Sequence, residues 1–388
     1  MEIILIILIL IVVHGYGGYT IPILVSRLIQ TPKTKGDIGE AKKHSISIVI
    51  AAYNEETCIA EKILNTLSID YPKNLLDILI VTDGSTDRTY EIASSFDCVR
   101  CFHDNSRKGK MAAIDRIMQY VQSEITVFTD ANTLLNKECL NAINKHFLFQ
   151  HVGGVAGEKK VEILNNAVKK SKSQEGIYWK YESFLKQIDS DFYSVVGAAG
   201  ELYAIRTSLY KYPGENVILD DFLVSMNICK EGFVIKYEPG AYALELPSSN
   251  LIEESKRKIR IAAGGIQSIL LLIDLLNVIK YKKLSYLYFS HRVLRWTIIP
   301  IALIFIFCIT FILFLQKNTI WISICLLFQS IFYSLGLLGS FIRGSKYLNK
   351  FTSIPHYFIF MNVAQIKGII RFFRGKQTSV WEKVNRLQ

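Results

Sequence analysis

The sequence lacks the patterns of repeat proteins and of zinc or redox centres. Its 388 residues contain no internal repeat and no low-complexity tract, which excludes a solenoid or another repeat architecture. Seven cysteines are dispersed along the chain, and residues 98–101 form a C-x-x-C segment with no second pair. A metal or redox role is therefore disfavoured at these cysteines, and we expect this segment to be part of a strand.

Charged residues are missing from three segments near the two ends of the chain. Residues 3–26, 296–315 and 319–342 each run for about 20 or more positions without Lys, Arg, Asp or Glu. A helix of that length crosses a bilayer core of roughly 30 Å. A membrane anchor within residues 1–28 and a transmembrane hairpin at 294–342 are predicted. A cleaved signal peptide is disfavoured, because Glu2 rather than basic residues follows Met1 and no A-x-A-like site ends the segment.

Basic residues gather beside these apolar segments. Those that follow the first and third segments are Arg27, Lys33, Lys35, Lys42, Lys43, Arg343, Lys346 and Lys350. Because cations mark the cytoplasmic side, we expect a multi-pass protein of the cytoplasmic (inner) membrane whose central domain faces the cytoplasm. The net charge of +11 then predicts the lipid bilayer as a partner rather than nucleic acid, since each cation near an anionic leaflet contributes about 1 kcal/mol.

The central residues 44–250 alternate strand-like and helix-like patterns. Apolar, β-prone runs at 46–50, 76–82, 99–103 and 125–128 are separated by segments with helical spacing. This alternation predicts an α/β domain with a mostly parallel, doubly wound sheet. From residue 152 the pattern loosens into glycine-rich turns. Beyond them the pattern predicts a helix at 174–188, a strand at 201–206 and a helix from about 220.

Two segments after the central domain are apolar but interrupted. The run at 259–279 is broken by two glycines, a glutamine and an aspartate, so helices in the membrane interface are expected within 251–285. Residues 351–373 contain three polar interruptions and have cations at both ends. We favour an interfacial or re-entrant helix followed by a cytoplasmic tail, within 351–388, over a fourth span.

Two acidic turns follow apolar strands. Asp83 ends the strand at 76–82, and Asp130 and Asn132 follow the strand at 125–128. This pattern places carboxylates at the carboxyl edge of the sheet, where open α/β sheets bind ligands. Carboxylate oxygens are hard ligands, so the two turns suit a nucleotide diphosphate and a divalent metal whose coordination the phosphates complete.

These motifs, in this order, resemble family 2 glycosyltransferases of the GT-A fold, in the bacterial membrane-bound branch that includes polysaccharide synthases. The resemblance runs from about residue 46 to 260 and resumes with the membrane segments. It implies an inverting glycosyltransferase that moves a sugar from a nucleotide-sugar donor, expected to be UDP-linked, to a lipid-linked or membrane-proximal saccharide acceptor. The implied pathway is cell-envelope or exopolysaccharide biosynthesis, with envelope-assembly proteins as further partners.

The resemblance assigns donor-binding residues one by one. The turn after the first strand, with Ala51, Tyr53 and Glu55, corresponds to the turn that holds the nucleobase and ribose. Asp83 corresponds to the carboxylate that accepts from the uracil N3–H, and ordinary turn and capping chemistry is the alternative for it. The remaining donor-side assignments are Lys110 of a basic turn, Arg257, and Trp381 and Lys383 of the C-terminal tail. Trp381 is equally well explained as an aromatic interface anchor.

Residues 130–132 are similar to the D-x-D motif with which the family binds Mg²⁺ or Mn²⁺. Here the second acid is replaced, so Asp130 is the charged ligand and Asn132 offers a neutral oxygen. We expect weakened rather than abolished metal affinity. The metal would stabilise the negative charge that accumulates on the leaving nucleoside diphosphate.

The resemblance also assigns catalytic and acceptor-side residues. Asp221 corresponds to the catalytic base, while Asp220 can cap the helix that starts there. Arg260 corresponds to a cation on the diphosphate. Gly200 and Glu201 match the small-residue loop on the acceptor side.

Two other functions stay open at this point. The first is a processive β-polysaccharide synthase. Against it, Ile261 stands where processive members carry a tryptophan that stacks on the acceptor sugar. The second is a non-catalytic nucleotide-sugar sensor or scaffold. Its support is Asn132, and the retained Asp221 and Arg260 speak against it.

Overall fold

One mixed sheet organises the central domain. The computed structural model describes residues 1–29, 42–161, 169–245, 251–317, 319–341 and 346–377. Within them eight strands pair in the order β3-β2-β1-β4-β7-β6-β8-β5. The strands are β1 (Ile46–Ala52), β2 (Leu76–Asp83), β3 (Arg100–Asp104), β4 (Ile125–Asp130), β5 (Thr133–Leu135), β6 (Val152–Val161), β7 (Leu202–Arg206) and β8 (Val234–Glu245).

Helices cover the sheet and extend from it towards both ends of the chain. They are α1 (Glu2–Val13), α2 (Thr20–Ile29), α3 (Ile59–Leu67), α4 (Thr89–Ser94), α5 (Lys110–Met118), α6 (Cys139–Phe147), α7 (Lys169–Phe192), α8 (Asp220–Lys230), α9 (Leu251–Leu271), α10 (Val278–Tyr281), α11 (Lys283–Leu287), α12 (Leu294–Trp296), α13 (Ile298–Lys317), α14 (Ile320–Phe341) and α15 (Lys346–Phe373).

The first four long strands are parallel and place the two acidic turns at one edge. β1 pairs with β2 on one side and with β4 on the other, so that Ala51 lies opposite both Val81 and Asp130. Asp83 and Asp130 therefore end strands that are separated by β1, about 10 Å apart across the sheet. Every residue of β1 is buried, as expected for a parallel strand covered on both faces. The predicted α/β class with a mostly parallel sheet is confirmed.

The expectation of glycine-rich turns from residue 152 was wrong, because this segment forms the long strand β6. It pairs antiparallel with β7 and parallel with β8, a strand that the sequence had not indicated. The glycines serve close packing: a Cβ on Gly154 would lie 2.7 Å from a methyl carbon of Ile235 and 2.8 Å from the carbonyl oxygen of Ala204. Only hydrogen fits there, so the glycines allow the strand rather than interrupt it.

The N-terminal segment, predicted as one anchor, is bent. α1 and α2 are separated by a π-helical turn, and the two parts meet at 52°. Gly17 in that turn has φ +132°, a conformation that other residues rarely adopt. After the bend, Tyr19 and Ile23 are buried in the core of the central domain, and Arg27 pairs with Asp191 of α7 at 3.0 Å. α2 thus packs against the domain, because its buried face and its cation find partners there.

Two of the described helices are each long and apolar enough to cross a membrane. They are α13, over Ile298–Lys317, and α14, over Ile320–Ser340. The α1–α2 pair would add a third span if the bent pair crosses as one. The two C-terminal spans agree with the predicted hairpin.

α9 and α15 pack closely together beside the carboxyl edge of the sheet. A Cβ on Gly368 of α15 would lie 2.3 Å from the Cβ of Ala262 on α9. The two glycines that suggested a broken segment lie inside the continuous helix α9, where Gly264 faces Ile218 and Gly265 faces the ring of Trp296. They let the helix approach the domain closely. An interfacial position for α15 stays a prediction.

Candidate active site

A cavity of about 350 Å³ lies at the carboxyl edge of the sheet, below α9 and α15. Most of the predicted site residues line it. They are Tyr53, Glu55, Lys110, Asp130, Asn132, Gly200, Glu201, Asp220, Asp221, Arg257 and Arg260. Ala51 and Asp83 are buried and are not among its lining residues. Trp381 and Lys383 lie outside the residues that the structure describes.

Asp83 holds the loop that leads into α5. Its Oδ1 accepts the backbone N–H of Lys108 at 3.0 Å, and its Oδ2 accepts that of Gly109 at 2.7 Å. The side chain thus has internal partners at the place where a nucleobase contact was expected. Its fixed position sets the start of α5, whose first residue is Lys110. Recognition of uracil by Asp83 stays a prediction.

Lys110 and Asp130 form an ion pair at the cavity wall. The Lys110 Nζ donates to Asp130 Oδ1 at 2.6 Å, and both side chains are mostly buried. Burial alone lowers the pKa of Lys110, but the charges of Asp130 and then Asp220 outweigh it, so this pKa is raised. Lys110 is therefore a permanent cation beside the metal-binding motif, placed to neutralise phosphate oxygens.

A buried lysine that the sequence analysis missed supports this motif from below. Lys62 on α3 is fully buried, and its Nζ donates to the carbonyl oxygen of Thr133 at 2.7 Å and to the Oγ1 of Thr129 at 2.9 Å. These two residues flank the turn at 130–132. Burial lowers the pKa of Lys62 to about 7. The signal was present in the sequence, since Lys62 lies three residues after Ile59 on the apolar face of α3.

Asp220 and Asp221 begin α8 and face the cavity. Asp221 Oδ1 accepts the backbone N–H of Phe222 at 2.8 Å, and the buried Asp220 Oδ2 has no hydrogen-bond partner among the described residues. Burial, and then the charge of Asp220, raise the pKa of Asp221 to about 7. A carboxyl group with this pKa can accept a proton near neutral pH.

Gly200 lies between the side chains of Asp221 and Lys110. A Cβ at this position would lie 3.3 Å from both Asp221 Oδ2 and Lys110 Nζ. Any larger residue would fill the gap between the two charged groups. The small residue predicted on the acceptor side thus allows donor-side and base-side groups to meet.

α9 adds positive charge to the cavity. Arg260 donates from Nη2 to the carbonyl oxygen of Ile218 at 3.4 Å, while its buried Nε has no hydrogen-bond partner among the described residues. Arg257, one turn earlier, also lines the cavity, and its side chain is 16% exposed. An oxygen-rich ligand would satisfy the Nε of Arg260.

Glu201 is held by a buried lysine rather than being open to an acceptor. Lys159 of β6 donates to Glu201 Oε1 at 2.8 Å and also pairs with Glu245. Burial alone raises the pKa of Glu201, but the charges of Lys159 and Arg257 outweigh it and hold this pKa well below its ordinary value. Lys159 was missed because its strand was expected to be turns. An acceptor contact by Glu201 stays a prediction.

The metal-binding motif offers few protein ligands. The described residues contain no group of three or more His, Cys, Asp or Glu side chains that could hold a metal ion. Asp130 and Asn132 supply two oxygen-bearing side chains at the cavity wall. This set fits a Mg²⁺ or Mn²⁺ ion that takes its other ligands from donor phosphates and water, and it does not fit a metal enclosed by protein.

The fold is that of a known solved structure. The mannosyltransferase PcManGT from Pyrobaculum calidifontis, in complex with GDP-Man and Mn²⁺, matches with a TM-score of 0.72 and 19% identity. The match covers 97% of this chain and 99% of that chain. The chain therefore has the GT-A architecture predicted from its motifs.

Sequence comparisons show which proteins the chain resembles. Residues 47–212 match the family model described as Glycosyl transferase family 2. The poly-beta-1,6-N-acetyl-D-glucosamine synthase of Staphylococcus aureus (strain COL) is 26% identical over 262 residues, which are 64% of this chain and 61% of the relative. That of Staphylococcus epidermidis is 27% identical over 254 residues, 62% of this chain and 58% of the relative. The chain thus spans about three fifths of these relatives. The match over residues 47–212 agrees with the predicted resemblance to family 2 glycosyltransferases, and together with these relatives it supports the prediction of a glycosyltransferase.

Proposed function

We propose that this protein is a membrane-anchored, inverting, metal-dependent glycosyltransferase of cell-envelope or exopolysaccharide biosynthesis. It takes a sugar from a nucleotide-sugar donor, with UDP as the expected nucleotide, and transfers it to a lipid-linked or membrane-proximal saccharide. Its location would be the cytoplasmic membrane, with the central domain in the cytoplasm. The observation that carries the proposal is the shared cavity of Asp130, Asp221 and Arg260.

One group of residues in the cavity acts on the acceptor, and another group stabilises the leaving nucleoside diphosphate. Asp221 takes the proton of an acceptor hydroxyl as the hydroxyl oxygen attacks the anomeric carbon. The bond from that carbon to the diphosphate oxygen breaks, and its electron pair leaves with the nucleoside diphosphate. Because attack comes from the face opposite the diphosphate, the anomeric configuration inverts. Burial, and then the charge of Asp220, support this role by keeping the pKa of Asp221 near neutral.

The second group of residues stabilises the negative charge on the leaving nucleoside diphosphate. Lys110 and Arg260 are cations that line the cavity, positioned by their contacts with Asp130 and with the carbonyl oxygen of Ile218. Asp130 and Asn132 would hold Mg²⁺ or Mn²⁺, which when bound supplies further charge stabilisation for the leaving group. Because these charged groups are already in position before the reaction starts, they lower its barrier without having to move.

A processive β-polysaccharide synthase is the second candidate. The names of the matched staphylococcal relatives favour it. The chain has Ile261 in α9 at the cavity wall, where processive members carry tryptophan, so single transfer is the function that we put first. The length of the product distinguishes the two, since a polymer ladder made by the purified protein would establish the processive alternative.

The test is a transfer assay with the full chain in detergent or nanodiscs. A panel of UDP- and GDP-sugars is screened with Mg²⁺ and Mn²⁺ for thermal stabilisation, because a bound donor stabilises the folded state by mass action. Donors that bind are then assayed for hydrolysis and transfer. We expect Asp221→Asn to lose activity by at least about 100-fold while donor binding persists.

A matched control is Asp97→Asn, the same change at an exposed position away from the cavity. Equal activity in Asp221→Asn and Asp97→Asn would remove the assigned base. Donor binding without hydrolysis or transfer in the unmodified protein, whatever the acceptor, would favour the non-catalytic sensor.

A further inference from the structure

A second cavity adjoins the active site on the side of the apolar helices. Its volume is about 230 Å³. The two cavities share five of their lining residues, which are Tyr178, Arg292, Trp296, Met361 and Gln365. The two spaces are therefore neighbours across a shared wall, and a ligand in the second cavity borders the space that contains Asp221.

This membrane-side cavity lies where the central domain meets the candidate spans. Tyr16 belongs to the turn between α1 and α2. Trp296 ends α12, two residues before α13 begins. Phe358 of α15 packs against Phe332 inside α14, with 5.4 Å between ring centroids. The membrane-side cavity therefore borders the N-terminal bend and α15, beside α14.

The lining of the membrane-side cavity is aromatic and basic. Its aromatic side chains are Tyr16, Tyr178, Tyr181, Trp296, Tyr357 and Phe358. Among the described residues that line it, Arg292 and Arg295 carry the charge, and both are cations. Behind them a single carboxylate, Glu182, pairs with Arg295 and lies 3.6 Å from the Nη1 of Arg292. The carboxylate of Glu182 thus forms ion pairs with two guanidinium groups.

Arg295 has a donor that is not used. Its Nη2 bonds to Glu182, but its Nη1 is buried and has no hydrogen-bond partner among the described residues. The side chain is 9% exposed. A buried N–H without an acceptor is unfavourable. The Arg295 guanidinium lines the cavity against the rings of Tyr16 and Tyr181, 5.7 and 5.6 Å from their centroids, so this side chain favours a ligand oxygen. Guanidinium groups prefer phosphate and carboxylate oxygens.

We propose that the membrane-side cavity binds the acceptor, and that the acceptor is a saccharide joined to a lipid through a phosphate group. Arg295 and Arg292 bind the phosphate oxygens. The saccharide reaches past Trp296 into the shared part of the two cavities, where its hydroxyl meets Asp221. The lipid chain leaves past Ile354 and Phe358 towards α14.

This inference rests on the proposed function, because it names the acceptor of that reaction. The choice of a lipid phosphate over a soluble glycan follows from two features on the cavity wall. The unused guanidinium N–H favours an anion, and the apolar outer end contains Ile354, which is 55% exposed. A neutral, fully hydroxylated glycan would bring neither an anion nor an alkyl chain to these groups.

The experiment measures binding to the full chain in detergent micelles, with four probes. They are farnesyl phosphate, farnesol, inorganic phosphate and a soluble N-acetylglucosamine pentasaccharide. We expect farnesyl phosphate to bind at least about 10-fold more tightly than the other three, because only this probe combines the anion with the apolar chain. Arg295→Met should weaken farnesyl phosphate binding at least about 10-fold and leave donor binding unchanged. Each 10-fold change corresponds to about 1.4 kcal/mol.

Two further sets of variants distinguish a loss of binding from a folding defect of Arg295→Met. Arg88→Met makes the same change at an exposed position and should bind as the unmodified protein does. Ile354→Glu places a negative charge at the outer end of the cavity and should weaken farnesyl phosphate binding, whereas Ile354→Gln should not. Tighter binding of the pentasaccharide than of farnesyl phosphate, or equal farnesyl phosphate binding in Ile354→Glu and Ile354→Gln, would overturn the proposal.

Failure of this inference can be told from failure of the proposed function. Transfer to a soluble acceptor that is unaffected by Arg295→Met would contradict the lipid phosphate site and leave the glycosyltransferase intact. Farnesyl phosphate binding that depends on Arg295, in a protein that neither hydrolyses nor transfers any donor, would support the site and contradict the proposed function.

Discussion

The two adjoining cavities differ in how they manage charge. In the active-site cavity, buried acids and bases alternate, and Lys110 and Asp130 satisfy each other at 2.6 Å. In the membrane-side cavity, aromatic rings surround two arginines that share Glu182. The difference teaches that paired charges suit a step in which charge moves, whereas an arginine with a spare N–H among aromatic rings suits recognition of an amphipathic molecule.

The largest expected effect is a loss of transfer activity in a variant that alters only the active-site cavity. Asp130→Asn removes the charged ligand of the metal-binding motif and leaves Lys110 buried without its ion-pair partner. We expect transfer to fall about 10²- to 10³-fold and metal-dependent thermal stabilisation by the donor to disappear. Farnesyl phosphate binding should be unchanged. Metal-dependent donor binding at the level of Asp97→Asn would contradict the assignment.

The second prediction uses the titration of Asp221. Burial, and then the charge of Asp220 on its own helix, raise its pKa. Lys110 and the backbone N–H of Phe222 lower it, Glu201 raises it slightly, and the net result is a pKa of about 7. The base must be ionised, so kcat/KM should rise about 10-fold per pH unit below this pKa and level off above it. Arg295→Met should keep the same midpoint, because a guanidinium does not titrate in this range. A midpoint near 4 would contradict the role of burial.

The same carboxyl group makes a prediction about stability. Its ordinary pKa is 3.8, and burial and then the charge of Asp220 raise this pKa in the folded protein. Between these two values the folded state keeps a proton that the unfolded chain releases, so the contribution to stability is lost as the pH rises towards 7. Asp221→Asn should therefore be more stable than the unmodified protein at pH 8, by a few kcal/mol at most. Chemical denaturation at pH 5 and pH 8 measures this, and a variant destabilised at pH 8 would contradict it.

A smaller effect is expected at Lys62, which touches neither cavity. Lys62→Met removes the donor that holds both flanks of the turn at 130–132. Partners that orient metal-binding groups are typically worth 10- to 100-fold in metal affinity, and we expect about 10-fold in KM for the metal-bound donor. The kcat at saturating donor should change less. A variant with reduced kcat and unchanged donor KM, compared with the exposed control Lys145→Met, would contradict a positioning role.

The smallest effect is expected in the membrane-side cavity. Tyr181 donates to the carbonyl oxygen of Tyr16 at 2.9 Å and so ties α7 to the N-terminal bend. Tyr181→Phe should lower the free energy of unfolding by about 1 kcal/mol and raise the acceptor KM a few-fold. Donor binding should match that of the control Tyr212→Phe. An equal rise in donor KM would show that the two cavities do not act separately.

Some of the site could be predicted because its signals are local. A strand followed by an acidic turn is visible within about eight residues, so Asp130 was identified together with its neighbour Asn132. Asp220 and Asp221 at the start of a helix form an equally local pattern. The structure places these residues in one cavity.

Other residues could not be found in this way because their roles depend on distant partners. Trp296 was read as the edge of an apolar segment, yet its ring packs on Phe222, the residue after Asp221, with 5.1 Å between ring centroids. Arg295 stands beside it in the chain, and its partner Glu182 is more than 100 positions earlier. Lys159 was hidden by the glycines of β6, which look like turn residues in isolation.

The sequence by itself determined the class of the domain, the apolar segments and the acidic turns, because periodicity and composition act over one helix or strand. Tertiary structure alone decided that α2 packs against the domain, that Asp221 has a pKa near 7 and that an aromatic cavity adjoins the base. The reason is physical. Burial, ion pairing and cavity walls depend on distances between segments far apart in the chain, and a local pattern carries no information about those distances.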